Sequence, residues 1–135
     1  MSDAASGTSP VIFVVSKGSG AEHAAEQAAT TLKRQLYRTT GADLIAPYAG
    51  ETSRRVEHQI EIARRDDAIL LVQRADPLFG PRVPERLDES EPMMDGRSIA
   101  RRFAEAGVPV VFALSSEELA DSATFGTGWT VLHAD

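Results

Sequence analysis

The first strong feature of the hydrophobic pattern is five consecutive apolar residues, Val11, Ile12, Phe13, Val14 and Val15. A continuous, β-branched run of this length predicts a strand covered on both faces, and such a strand belongs in the interior of a sheet. The period then changes. Between residue 21 and about residue 39, Ala25, Ala28, Ala29, Leu32 and Leu36 recur at three- and four-residue steps, which predicts one helix with Gly41 as its stop. Residues 42–46 form a short second strand ended by Pro47. Thr52 or Ser53 caps a second helix running to about residue 65, with Val56, Ile60 and Ala63 inward and Glu57, Glu61 and Arg64 in water. Residues 67–72 are the third strand, expected beside the first.

Four prolines (Pro77, Pro81, Pro84, Pro92), Gly80 and a charged run break the pattern over residues 74–94, which predicts a long loop. Asp95 or Ser98 caps a third helix that carries Ile99, Phe103 and Ala106 inward and stops at Gly107. A fourth strand over 108–114, a short helix over 116–123 and a last strand over 129–132 complete the alternation.

Five strands interleaved with helices predict an α/β domain: a three-layer, doubly wound, mainly parallel five-stranded sheet of the Rossmann-like or flavodoxin-like kind, in the order 2-1-3-4-5. Residues 1–10, small and polar, read as a flexible tail, and residues 11–135 as one domain. Ligands of such sheets bind at the carboxyl ends of the strands, beside the point where the winding reverses. In the 2-1-3-4-5 order that point lies between the first and third strands.

Composition narrows the chemistry. The chain has no cysteine, so disulfides, thiolate metal sites and cysteine nucleophiles are excluded. A net charge of -6 argues against a nucleic-acid or anionic-membrane surface. The absence of a signal-like start and of long apolar runs points to a cytoplasmic protein. The three histidines share no ligand spacing, so no metal is expected.

The candidate site begins where the first strand ends. Ser16, Lys17, Gly18, Ser19 and Gly20 form a small, glycine-bearing turn that opens a helix, an arrangement that aims backbone N–H groups and the helix dipole at a phosphate or carboxylate. Asp95, Gly96 and Arg97 resemble a second helix start of this type, with Arg97 able to fork onto an anion. Glu22 and Asp76 are the acids placed nearest such a site and are the candidates for catalysis. An ordinary capped helix start and an ordinary turn aspartate explain the same letters.

The segment from Val15-Ser16 through Gly20-Ala21-Glu22-His23-Ala24-Ala25 resembles the strand, glycine turn and helix start of the SLOG Rossmann-like nucleotide-binding domains, with Glu22 where that family has aspartate. The element order over about 100 residues is similar to the nucleoside 2-deoxyribosyltransferase and TIR-like group. The resemblance implies a nucleotide-binding fold, yet the position of the transferase glutamate falls on Ile99, which cannot act as a carboxylate nucleophile. Pro77-Leu78-Phe79-Gly80 also resembles the flavin loop of flavodoxin-like proteins, Phe79 and Tyr48 being the aromatic residues available.

The expectation is a small domain that binds a nucleotide or related phosphorylated molecule and acts, if it is an enzyme, on the glycosidic bond. No resident cofactor is assigned, and a homodimer is the one protein partner considered. Two alternatives stay open: an inactive partner-binding or oligomerising module of the same fold, and a flavodoxin-like FMN carrier.

Overall fold

A computed structural model describes residues 11–45, 51–79, 96–124 and 129–134. Among them the chain runs β1 (Val11–Val15), α1 (Gly20–Leu32), β2 (Gln35–Thr40), α2 (Gly41–Leu44), α3 (Glu51–Asp66), β3 (Ala68–Gln73), α4 (Asp76–Phe79), α5 (Gly96–Ala106), β4 (Val110–Leu114), α6 (Glu117–Thr124) and β5 (Thr130–His133). The five strands form one parallel sheet in the order β2-β3-β4-β1-β5. The α/β class and the parallel sheet agree with the sequence pattern. The order 2-1-3-4-5 does not: β4 lies between β1 and β3, so the first and third strands are not neighbours.

The most apolar strands take the interior positions. β3, with Ala68 to Val72 all buried, pairs with β4, and β4 pairs with β1. The half-exposed strands β2 and β5 form the two edges.

Chain direction explains the layers. From β1 the chain crosses three positions to reach β2, and every later crossover returns the opposite way. Right-handed crossovers then put α1 on one face and α3, α5 and α6 on the other. Alternation along the strands separates two cores accordingly. Phe13, Leu70, Val72, Val110 and Phe112 pack with Val56, Ile60, Ile99 and Phe103 on the three-helix side. Val14, Leu71 and Val111 pack with Ala21 and Ala25 of α1 on the other side. The larger core is aromatic: Phe13 stacks on Phe112 at 5.3 Å between ring centroids, and Phe79 meets both edge-on. Pairs of this kind contribute about 0.5–1.5 kcal/mol each beyond area burial.

Several boundaries depart from the pattern, the largest departure at the end of α1. The helix stops at Leu32 because Lys33 turns into the left-handed region, φ 58°, and the Lys33 and Arg34 amides donate to Thr30 and Ala29 carbonyls. This is a Schellman cap, which ordinarily uses glycine. Gln35–Thr40 is then free to add to β3 as an edge strand, and Gly41 starts α2 instead of ending α1. Residues 42–45 are therefore not the second strand; Ala42 to Leu44 are helical, and residue 46 lies outside the described residues. Thr52, Ser53 and Ser98 lie inside helices that have already begun. Within the stretch read as an irregular loop, α4 forms and inserts a fully buried Leu78. Gly107, φ 75°, ends α5 as expected, its own amide bonded to Ala104 and that of Val108 to Phe103.

Polar clamps tie elements together at the surface. Arg102 of α5 donates through Nε and one terminal nitrogen to the two carboxylate oxygens of Glu57 of α3, so the face read as wholly solvated carries a helix-to-helix ion pair. The Tyr37 hydroxyl of β2 donates to Asp66, the last residue of α3. Hydrogen bonds from Arg65 and then Tyr37 hold the Asp66 carboxyl below the usual aspartate range, while the same bond to Asp66 raises the Tyr37 phenol.

Two expectations follow from these local geometries. Lys33→Gly removes the Cβ penalty of the left-handed cap and raises stability by about 0.5–1 kcal/mol in denaturant unfolding. A depressed folded-state carboxyl contributes stability above its unfolded value that disappears as pH falls through the folded one. Unfolding midpoints of Asp66→Asn therefore depend less steeply on pH below about pH 4 than those of the parent.

Candidate functional site

The carboxyl ends of the strands are tied together past their last ladder bonds. The Ser16 amide donates to the Leu114 carbonyl at 2.9 Å and the Ala75 amide to the Ala113 carbonyl at 2.9 Å, which joins the residues that follow β1 and β3 to the end of β4. Both oxygens of Asp76 accept from Ser115, at 3.0 Å from its amide and 2.8 Å from its hydroxyl. The edge is thus a rigid shelf.

On the α1 side of that shelf lies a cavity of about 380 Å³. Its floor is Leu71 and Ala113, side chains of adjacent strands that point to the α1 face. One wall is the first turn of α1 with the loop before it: Gly18, Ser19, Ala21 and Glu22. The opposite wall is Thr40, Gln73 and Arg74. Thr40 and Gln73 are register partners at the ends of β2 and β3, which sets them side by side.

Each wall has a local cause. Ser19 occupies the N-cap position, but its side chain makes no capping bond, so α1 begins with a turn of small residues against the cavity. Arg74 leaves β3 in the left-handed region, φ 49°, and that turn packs directly on Gly41: a Cβ there would sit 2.6 Å from the Arg74 carbonyl oxygen. The missing side chain at residue 41 is what lets the Arg74 turn close over the end of β2.

Among the described residues that line the cavity, Glu22 and Arg74 are the two that carry a charge. Glu22 is engaged from outside it: Arg38 of β2 donates through Nε to Glu22 at 3.1 Å and through a terminal nitrogen to Glu26 at 2.9 Å. A second, more open groove runs along the flank of α1 beside β2, bordered by Lys33, Arg34 and Arg38. Arg34 there pairs with Asp67 at 3.4 Å, and Arg38 is held by the two glutamates.

The residues singled out from the sequence fall into three groups. Gly18, Ser19 and Glu22 line the cavity. Ser16 is buried in the β1–β4 ladder with its hydroxyl on the Gly18 carbonyl, Lys17 is exposed, and Gly20 starts α1. The second cluster sits elsewhere. Gly96 and Arg97 open α5, on the opposite side of the sheet, and Gly96 is pressed so closely on the Phe79 ring that a Cβ would lie 2.4 Å from it. Asp95 and Tyr48 lie outside the described residues. Asp76 serves as the clamp on Ser115, and Ile99 is fully buried in the larger core. With β4 between β1 and β3, the crevice that a 2-1-3-4-5 sheet offers a flavin does not form, and Phe79 belongs to the aromatic core.

Thr40, Gln73 and Arg74 were not singled out one by one from the sequence, although Gln73 and Arg74 end a recognisable strand. Arg38 carried no signal, because its segment reads as helix. Among the described residues no group of three or more His, Asp or Glu side chains is arranged to hold a metal ion, and no helix is long and apolar enough to cross a membrane. Comparison with protein-family models finds no match, and comparison with curated proteins finds none either.

The contact at residue 41 makes a direct expectation. Gly41→Ala forces a Cβ against the Arg74 backbone, which cannot swing away as a side chain would, so it lowers the thermal midpoint by several degrees, about 1–3 kcal/mol, as read by circular dichroism melting.

Proposed function

We propose that the protein binds a small phosphorylated molecule of the nucleotide or sugar-phosphate type in the cavity between α1 and the ends of β2, β3 and β4. The observation that carries this reading is the meeting of Arg74 with the first turn of α1 across one 380 Å³ space. A guanidinium and the positive end of a helix dipole attract the same kind of group, an oxyanion. The volume falls within the range of small-molecule sites.

The rest of the lining suits the uncharged part of such a ligand. Leu71, Ala21 and Ala113 offer an apolar surface, and Thr40 and Gln73 offer a hydroxyl and an amide that can both donate and accept. Binding is the function proposed, and catalysis is not part of it. Of the two acids expected to act, Asp76 has both oxygens committed to Ser115, and Glu22 is bonded to Arg38.

Differential scanning fluorimetry against AMP, NAD and ribose 5-phosphate tests the reading. A ligand present at about a hundredfold over its Kd adds roughly 2.7 kcal/mol to the native state, a rise of several degrees in Tm. Arg74→Gln should remove most of that rise while leaving the ligand-free midpoint near the parent's. An unchanged midpoint with every compound, or an undiminished rise in Arg74→Gln, overturns the proposal.

A further inference from the structure

The cavity's charge pattern says more about its ligand than its volume does. Arg74 contributes one positive charge to one wall, and Glu22 one negative charge to the other. Arg38 does not cancel Glu22, because one guanidinium is divided between two carboxylates, Glu22 at 3.1 Å and Glu26 at 2.9 Å. Glu22, Glu26 and Arg38 together carry a net charge of about -1, two carboxylates against one guanidinium, and Glu22 is the one of the three that lines the cavity. A site built to hold a chain of phosphates would carry the opposite sign at this position.

We infer that Glu22 is a specificity residue which restricts the ligand to a single phosphate attached to a hydroxyl-bearing group, a sugar or nucleoside monophosphate, and rejects polyphosphates; this rests on the binding function proposed above. The phosphate lies toward Arg74. The Glu22 carboxylate accepts hydrogen bonds from sugar hydroxyls, since an ionised carboxylate can only accept. Further phosphates would extend the negative charge toward that carboxylate in a partly enclosed space, where repulsion is less screened than in open water. Arg38 acts through Glu22 as a positioning residue: its Nε bond holds the Glu22 carboxylate on the first turn of α1, while its other bond anchors the guanidinium on Glu26.

Isothermal titration of the full chain with AMP, ribose 5-phosphate and ATP, at low and at 0.5 M salt, separates the outcomes. The parent is expected to bind the two monophosphates about tenfold or more tightly than ATP at low salt, with the ratio shrinking as salt rises. Glu22→Gln, isosteric and on an accessible helix turn, should bring the ATP and AMP affinities to within about threefold, and Glu22→Asp, which keeps the charge, should retain much of the discrimination. If ATP binds the parent as tightly as AMP, or if Glu22→Gln leaves the ratio unchanged, the selectivity role is overturned while the binding function stands. If none of the three compounds binds, the underlying binding function fails and this inference with it.

Discussion

The insertion of β4 between β1 and β3 is the constraint on which the rest of the structure depends. In a parallel sheet every connection must cross over, and each crossover is right-handed, so the direction of travel decides which face a helix covers. One leftward step from β1 and three rightward steps afterwards leave α1, among the described helices, alone on its face and stack α3, α5 and α6 on the other. The cavity is a product of this imbalance. A single helix cannot cover five strands, and among the described residues the ends of β2 and β3 border the cavity beside its first turn.

The same constraint explains why the aromatic side chains gather on one side. The three-helix layer encloses a thick core in which Phe13, Phe103, Phe112 and Phe79 interlock, whereas the α1 layer rests on alanines. Small side chains on α1 bring the helix close to the sheet. Closeness at the sheet sets the first turn of α1 within reach of the end of β3, which is the condition for Ser19 and Arg74 to border one space.

Much of this was legible in the chain itself. β1, β3 and β4 stand out as continuous apolar runs, and the stripes of α3 and α5 as helical spacing, because each is decided by local burial. β2 was hidden for an equally local reason. Its Leu36 falls four residues after Leu32, a spacing that fits a helix, and the residue that breaks the helix is Lys33, which carries none of the usual glycine signal. In the fold Leu32 is 53% exposed and takes no part in the buried stripe. Strand order was beyond the pattern, since it depends on which long-range pairings fill the interior. The far wall of the cavity went with it: Thr40 and Gln73 become neighbours only once β2 lies on β3. Gly18, Ser19 and Glu22 could be found because strand, turn and helix follow directly in the chain.

The placement of α1 over an alanine layer also bears on where the fold opens first. Ala21 and Ala25 contribute little apolar area each, so α1 is the long helix whose detachment exposes least and whose amides should exchange with solvent before those of the three-helix layer. Its first turn is also a wall of the cavity, and any guest that grips that turn must suppress the same opening. A guest bound there would therefore tie its own affinity to the firmness of the thin layer.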